Sequence, residues 1–204
     1  MKFAWKRILD VCLALAGGIF CAPLMIIIGL MVWLTMGRPV LFLQERTGYK
    51  GRLFRIVKFR TMNQPSDERK HLDTDAERLT FLGKWLRQLS LDELPEVWNV
   101  LRGEMSIVGP RPLLPEYLER YSREQARRHD VYPGITGWAQ VNGRNGLSWE
   151  ERFVLDTWYV DNWNFLLDLK IVLKTFYQVA CRKEINRPGH ATMPEFLGNS
   201  KETD

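Results

Sequence analysis

The sequence predicts a mainly α fold with one small β-hairpin, an α+β class, joined to a membrane at its N-terminus. Residues 11–36 form 26 consecutive positions without a charged side chain, and about 20 apolar residues suffice to cross a bilayer. Residues 38–60 then carry seven Lys or Arg against the single Glu45. Eight Trp in 204 residues is a high count, and indole side chains suit a membrane–water interface. A wholly soluble domain is therefore excluded.

The apolar run has three interpretations. A signal peptide would be shorter and would end in a small-residue cleavage pattern. A helix that spans the membrane and a hairpin that enters one leaflet and returns both stay open. Pro23 lies at the middle of the run, which leaves two limbs of about 19 Å each against about 15 Å for half the hydrocarbon core. Basic residues flank both ends of the run, and this favours one side of the membrane for both ends.

The next part of the chain predicts a hairpin and two helices. Val40–Phe42 and Leu53–Val57 are short β-favouring stretches on either side of a loop that contains two glycines, which is typical of a hairpin. A polar loop is expected over Asn63–Asp75. Leucines at three- and four-residue spacing, Leu79, Leu82, Leu86 and Leu89, predict a helix over Asp75–Leu89. A second helix is expected from about Asp92 to Leu101, ending at a glycine.

The remaining elements are expected to be helices and one long loop. Glu116–Asp130 has the pattern of an exposed charged helix, and Tyr132–Asn145 is rich in Gly and Pro and is expected to be a loop. Trp158–Arg182 fits amphipathic helices that lie on the interface, although ordinary core helices fit as well. The domains expected are 1–37 in the membrane, 38–183 as a cytoplasmic catalytic domain and 184–204 as a loose tail.

Charge and cysteine content restrict the partners and the compartment. A net charge of +5 and a pI near 9.2 favour a polyanionic partner. The basic residues lie beside the apolar run, so membrane lipid is the expected partner and nucleic acid is not. Three cysteines form no even disulfide framework, which suits a reducing cytoplasm. We expect neither a zinc site nor a glycine-rich nucleotide loop.

The segment Ser90-Leu91-Asp92-Glu93-Leu94-Pro95 is the candidate reaction centre. Its plainest interpretation is a helix cap at Ser90 or Asp92, and a helix start would lower the pKa of both carboxyls. Adjacent helical carboxylates lie about 100° apart, so both can contact one divalent ion while one faces a substrate. That suits phosphoryl chemistry with Mg²⁺. Glycoside hydrolysis needs carboxyls about 5 Å or more apart across a sugar bond. Cations that could bind phosphate flank this segment: Lys58, Arg60, Arg87 and Arg111.

Four segments carry a family resemblance, namely residues 58–62, 90–95, 103–112 and 133–145. With these motifs in this order, the chain resembles the small bacterial sugar transferases, the monotopic phosphoglycosyl transferases, over about residues 1–183. The resemblance implies a re-entrant helix-break-helix at Pro23 and so favours the hairpin. A serine often precedes this proline in the family, whereas Ala22 stands here.

The resemblance also implies a function. It implies transfer of a phosphosugar from a UDP-sugar to polyprenyl phosphate at the cytoplasmic face of the bacterial inner membrane, as a first step of surface glycan assembly. Asp92 is then the nucleophile that forms an aspartyl phosphosugar, and Glu93, with Asp92 sharing, holds Mg²⁺. The residues implied to bind phosphate or substrate are Lys58, Arg60, Arg87, Arg111, Arg144 and Asp168.

Other classes of function stay open at this point. A non-catalytic module that binds the membrane surface would explain the basic segment and the tryptophans, but it gives no reason for the Asp-Glu pair beside a rigid Gly-Pro-Arg-Pro turn. A transferase that moves the phosphosugar in one direct displacement is the nearest mechanistic alternative. The residues do not identify the sugar.

Overall fold

The computed structural model describes residues 4–64, 75–143, 146–181 and 195–198. Its α-helices are α1 Ala4–Met36, α2 Asp75–Arg78, α3 Phe81–Gln88, α4 Val97–Arg102, α5 Arg123–Ala126, α6 Trp138–Asn142, α7 Trp149–Asn162 and α8 Phe165–Ala180. Its strands are β1 Leu41–Thr47, β2 Leu53–Phe59, β3 Ser106–Val108 and β4 Gly134–Thr136. Four 3₁₀ segments connect them, at Tyr49–Gly51, Leu91–Glu96, Pro115–Arg120 and Arg127–Asp130. The expected α+β class is confirmed.

Helix α1 lies along the rest of the protein with one face packed and the other exposed. It has 33 residues, or about 50 Å at 1.5 Å per residue. Ala14 in its first half packs against Val100 and Met105. In its second half Ile28 and Val32 pack in a separate apolar cluster. In the described chain, α1 is the one helix long and apolar enough to cross a membrane by length and composition.

Both ends of α1 are tied to the same domain by polar contacts. Near its start, the Lys6 ammonium pairs with the Asp168 carboxylate, and Asp10 accepts a hydrogen bond from the Ile107 backbone N–H at 3.1 Å. At its end, the buried Arg60 guanidinium donates to the carbonyls of Met36, Gly37 and Arg38. Those carbonyls have no partners within a helix, so Arg60 caps α1.

The sequence predicts two helices separated by a break at Pro23. This prediction is wrong, because α1 runs through Pro23 as a single helix. A proline removes one N–H and crowds the preceding turn, which bends a helix without ending it. The contacts that both halves make with the domain hold them in one continuous element.

The expected hairpin is confirmed. Strands β1 and β2 pair antiparallel, with Gln44 opposite Ile56 and Arg46 opposite Phe54. Directly opposite residues share a face of the sheet, so Arg46 and Lys58 project from the same face as the buried Phe54 and Ile56. This face covers the segment Leu91–Glu96.

The region expected to be a loop over Tyr132–Asn145 is instead largely ordered as β4 and α6. Strand β4 pairs parallel with β3, and the Gly109 N–H donates to the Thr136 carbonyl at 2.9 Å. A Cβ placed on Gly134 would lie 2.1 Å from the Gly109 nitrogen. The glycines that indicated a loop are therefore there because two backbones touch.

Two other expected helices are shorter than the sequence pattern suggested. The helix over Asp75–Leu89 divides into α2 and α3, because Thr80 leaves the helix and its hydroxyl caps the Gly83 N–H at 2.9 Å. The exposed helix over Glu116–Asp130 is wrong. It consists of a 3₁₀ segment, α5 and a second 3₁₀ segment, and Tyr117 and Arg128 within it are buried.

Helices α7 and α8 confirm the helical prediction for Trp158–Arg182 as far as the structure describes it. Helix α7 begins earlier, at Trp149, with Ser148 as its N-cap in a capping box with Glu151. Leu167 and Ile171 pack into the core from α8. The same helix exposes a second apolar stripe at helical spacing: Phe165, Leu166, Leu169, Leu173, Phe176 and Tyr177.

The expected loose tail is wrong for the part that the structure describes. Phe196 is buried in an aromatic cluster with Tyr117 and Phe153. Its backbone N–H donates to the Tyr117 hydroxyl at 3.2 Å. Burial of one aromatic ring fixes Glu195–Gly198 on the domain.

We predict that Gly134→Ala destabilises the protein by several kcal/mol, because the new methyl group would overlap the Gly109 backbone. The measurement is thermal unfolding followed by tryptophan fluorescence. The matched control is Gly17→Ala in α1, where a Cβ meets nothing within 4 Å and alanine favours the helix. Equal unfolding temperatures for the two variants would contradict the packing argument.

Candidate active site

The candidate carboxylates lie in the 3₁₀ segment Leu91–Glu96, not at the start of the expected α-helix. Pro95 has no N–H to donate to the Leu91 carbonyl, and the α-helix begins only at Val97. The cap expected at Ser90 is wrong as well, because Ser90 has left-handed backbone angles and its side chain caps nothing. The predicted end of this helix at Gly103 is confirmed.

The 3₁₀ geometry aligns Glu93 with Glu96. Side chains three residues apart eclipse in a 3₁₀ segment, so these two carboxylates share a face. The Lys58 ammonium lies 2.6 Å from Glu93 Oε1 and 3.0 Å from Glu96 Oε1. One cation from β2 therefore contacts both carboxylates.

Arg111 reaches the same oxygen of Glu93 from the opposite side. Its Nη2 donates to Glu93 Oε1 at 2.7 Å. The two prolines beside it, Pro110 and Pro112, restrict the backbone. The Arg111 carbonyl accepts a hydrogen bond at 2.8 Å from Arg128, and Arg128 is itself paired with Asp156 at 2.8 Å in a buried ion pair. Arg111 is thus fixed at both its backbone and its guanidinium.

Asp92 is placed differently from its neighbour. Its side chain is buried, with 8% exposed, and within the described residues no hydrogen bond to its carboxylate is found. Burial and the charge of Glu93 raise the pKa of Asp92, against the attraction of Lys58, Arg111 and Arg87. The predicted lowering of both carboxyl pKa values is therefore wrong for Asp92.

Glu93 follows the prediction for a different reason. Burial opposes its ionisation, but Arg111 and Lys58 outweigh burial and hold the Glu93 pKa well below its ordinary value. The cause is two direct cation contacts and not a helix end. Glu93 is the fixed anion of the pair, and Asp92 is the unpartnered one.

Glu96 is a site residue that the sequence reasoning missed. It is almost fully buried, and burial together with the charge of Glu93 raises its pKa to about 7. Its spacing of three from Glu93 was the available signal. Residues three apart lie on one face of an α-helix as well as of a 3₁₀ segment, so the spacing alone could have identified Glu96.

The predicted phosphate-binding residues do not all converge. Arg87 is close enough to lower the pKa of Asp92, and its Nε donates to the Thr61 hydroxyl at 3.0 Å. Together with Lys58 and Arg111 it confirms the expected convergence of cations. Arg60 is not in this cluster, because its guanidinium caps α1. Arg144 lies outside the described residues.

Asp168 is also engaged elsewhere. Its carboxylate binds Lys6, the Tyr159 hydroxyl at 2.7 Å and the Trp163 indole N–H at 3.0 Å. These contacts give Asp168 the role of an anchor for the start of α1. The expected supporting role in substrate binding is not what its contacts show.

The carboxylates suit Mg²⁺ only as a site shared with substrate. No group of three or more His, Cys, Asp or Glu with metal-binding geometry occurs in the part of the chain that the structure describes. Mg²⁺ usually takes one or two protein carboxylates together with substrate phosphates. Asp92 and the second oxygen of Glu93 provide hard oxygen donors of that kind.

The whole arrangement is a carboxylate held among three cations and left without a hydrogen bond. Lys58, Arg87 and Arg111 can balance the charge of a diphosphate. A carboxylate with a raised pKa that accepts no hydrogen bond keeps its lone pairs for an electrophile. The geometry therefore suits nucleophilic attack on a phosphorus atom.

Comparison with known proteins finds a family match and several similar proteins. The bacterial sugar transferase family matches residues 1–182. The chain is 48% identical over 196 residues to the uncharacterized sugar transferase EpsL of Bacillus subtilis, covering 95% of this chain and 96% of EpsL. It is 40% identical to the undecaprenyl-phosphate glucose phosphotransferase of Komagataeibacter xylinus, covering 83% of this chain.

A third relative, the UDP-galactose-lipid carrier transferase of Erwinia amylovora, is also 40% identical over 83% of this chain. The chain spans 35% of the Komagataeibacter protein and 39% of the Erwinia protein. It therefore matches one segment of these larger proteins and nearly the whole of EpsL.

We predict that Asp156→Asn destabilises the protein by about 3–5 kcal/mol, because it leaves the Arg128 guanidinium buried without a counter-charge. Thermal unfolding in detergent is the measurement. Asp161→Asn is the matched control, since Asp161 pairs with Arg127 at the surface of the same helix α7, and its loss should cost less than about 1 kcal/mol. Similar losses of stability in the two variants would contradict the conclusion that the buried Arg128–Asp156 pair supports Arg111.

Proposed function

This chain belongs to the bacterial sugar transferase family, and we propose that it transfers a phosphosugar from a UDP-sugar to undecaprenyl phosphate. The products are UMP and undecaprenyl diphosphosugar, which starts a surface glycan. The observation that carries the proposal is Asp92, buried without a hydrogen bond among Lys58, Arg87 and Arg111. The names of the Komagataeibacter and Erwinia relatives support the lipid acceptor and the UDP-sugar donor.

In the first proposed step, a carboxylate oxygen of Asp92 attacks the β-phosphorus of the UDP-sugar. The bond from that phosphorus to the bridging oxygen breaks, and the bridging oxygen leaves as part of UMP. The product on the enzyme is an aspartyl phosphosugar. Lys58 and Arg111 already face the site through Glu93, so they can stabilise negative charge as it develops on the phosphoryl oxygens.

In the second proposed step, a phosphate oxygen of the lipid attacks the same phosphorus. The acyl phosphate bond breaks and Asp92 returns as a carboxylate. No strong base is required, because the lipid phosphate is already ionised. Mg²⁺ held by Glu93 and Asp92 against the diphosphate would supply further charge neutralisation.

A two-step route suits the location of the two substrates. The donor is water-soluble and the acceptor is anchored in the membrane. One site can bind them in turn if the phosphosugar stays covalently attached to the enzyme after UMP has left and until the lipid binds. A direct displacement would require both at the site together. Initial-rate kinetics distinguish the two routes, since the covalent route gives parallel double-reciprocal lines.

The structure supports a monotopic position on the membrane. A helix that crossed the bilayer would leave the domain at one end, whereas the start of α1 binds Asp168 and its end binds Arg60. The outer face of α1 exposes a continuous apolar surface along its length. Trp5 of α1 contacts Phe165 of α8 with ring centroids 5.7 Å apart, which joins that surface to the α8 stripe.

We therefore propose that α1 is re-entrant and lies in the cytoplasmic leaflet, and that α8 lies at the interface beside it. Apolar side chains on one face and a domain bound along the other suit insertion to a limited depth. The active site then lies close to the lipid head groups.

The covalent step predicts a burst of UMP without lipid acceptor. Wild-type protein with a UDP-sugar and Mg²⁺ should release about one UMP per enzyme within the first turnover, and Asp92→Asn should release none. Glu93→Gln should require a much higher Mg²⁺ concentration for the same burst. A burst that survives in Asp92→Asn would exclude Asp92 as the nucleophile, and an unchanged Mg²⁺ response would exclude the role of Glu93.

The membrane position predicts that both ends of α1 face the cytoplasm. In a variant without native cysteines, single thiols at the exposed positions Ala4 and Arg38 should resist a membrane-impermeant maleimide in intact cells. Both should react once the cells are opened, which serves as the control. Reaction of either thiol in intact cells would contradict the re-entrant arrangement.

A further inference from the structure

A small polar cavity lies beside the carboxylates, and the two proposed steps do not use it. Its lining residues are Arg46, Ile56, Lys58, Glu96, Arg111 and Pro112. Its volume is about 10 Å³, which is the room that a single water-sized group needs. Two lining residues, Lys58 and Arg111, also contact Glu93 Oε1, so the cavity is one side chain away from the catalytic pair.

Two buried polar atoms of this cavity have no hydrogen-bond partner in the described structure: Arg46 Nε and Glu96 Oε1. Arg46 is a donor, held in place by its Nη2, which donates to Gln44 Oε1 at 2.5 Å. Glu96 Oε1 forms an ion pair with the Lys58 ammonium at 3.0 Å, and a carboxylate oxygen has a second lone pair that can accept from another donor. Buried polar atoms are normally paired, so the cavity lacks a group that can both accept and donate.

We infer that this cavity receives one hydroxyl group of the donor sugar, which accepts from Arg46 Nε and donates to Glu96 Oε1. The inference rests on the proposed function and names a specificity site for it. A hydroxyl both accepts and donates, and it is the size of the space. The sugar is attached to the phosphate that Asp92 attacks, so its hydroxyls lie within a few ångströms of the pair.

The same chemistry predicts which donor sugars the cavity excludes. A deoxy sugar leaves Arg46 Nε without an acceptor and removes a donor from Glu96 Oε1 in a buried place, and a site built for a hydroxyl discriminates strongly against such an analogue. An acetamido group at the recognised carbon is too large for a water-sized space. The cavity therefore selects a sugar with a free hydroxyl at one position.

Recognition of the sugar hydroxyl does not depend on whether Glu96 is ionised. Burial and Glu93 raise the pKa of Glu96 to about 7, so both forms are populated near neutral pH. A hydroxyl can donate to the carboxylate and accept from the carboxylic acid. Burial and the neighbouring Arg111 lower the pKa of Arg46 to about 10, which leaves it charged at neutral pH.

The experiment is a substrate–variant cycle measured as UMP release with undecaprenyl phosphate. The parent donor is the UDP-sugar with the highest kcat/KM among UDP-glucose, UDP-galactose and their 2-acetamido forms. Each monodeoxy form of that sugar is then compared with the parent in wild type, Glu96→Ala, Glu96→Gln and Arg46→Met. Glu119→Gln is the control, since Glu119 is an exposed carboxylate that does not line the cavity.

We expect one deoxy position to lower wild-type kcat/KM by about 100-fold. In Glu96→Ala and Arg46→Met, the ratio of kcat/KM for the parent sugar to kcat/KM for the deoxy analogue should fall below about 10. The reason is that these variants lose activity with the parent sugar and not with the deoxy analogue. Glu96→Gln keeps an acceptor and should retain most of the discrimination. Glu119→Gln should match wild type. If Glu96→Ala fails to fold, Arg46→Met gives the same test.

Two results would overturn the inference and leave the proposed function intact. The first is a wild-type enzyme that discriminates against no deoxy position by as much as 10-fold. The second is an equal loss for parent and analogue in the cavity variants, as damage to the structure alone would give. Absence of UMP release with every UDP-sugar would instead reject the proposed function and the inference with it.

Discussion

One oxygen of Glu93, shared by Lys58 and Arg111, is the contact on which the site depends. It joins the β-hairpin and the Gly-Pro-Arg-Pro turn to the 3₁₀ segment that carries the carboxylates. Since both cations are committed to Glu93, neither forms a hydrogen bond with Asp92. The different environments of two adjacent carboxylates follow from this single arrangement: one is fixed and anionic, and its neighbour is available to react.

The support for this contact extends away from the site. Arg128 and Asp156 hold the Arg111 backbone from a buried ion pair. Tight contact between Gly109 and Gly134 fixes the pairing of β3, which leads into the turn, with β4. Polar contacts at each end of α1 tie this apolar helix to the domain that carries Asp92.

Local sequence patterns were sufficient to predict the hairpin, α8 and the three cations that converge on Asp92. They were not sufficient where a long-range contact decides the structure. Arg60 and Asp168 are charged residues near the motifs, but their partners are the ends of α1, which no local pattern reveals. Glu96 was missed because its role depends on its burial and on its contact with Lys58 from a different element. Strand β4 was taken for a loop because Gly134 serves a close backbone contact. Only the position of Phe196 in a distant aromatic cluster shows that residues 195–198 are fixed on the domain.

The most direct test of the central claim is to locate the covalent phosphosugar. Wild-type protein is mixed with its UDP-sugar and Mg²⁺ in the absence of lipid, quenched in acid, digested with trypsin and mapped by mass spectrometry. The account predicts the mass of one phosphosugar on the peptide of residues 88–102, at Asp92, and its disappearance when undecaprenyl phosphate is added before quenching. A phosphosugar on a different residue, or UMP release with no modified peptide, would contradict it.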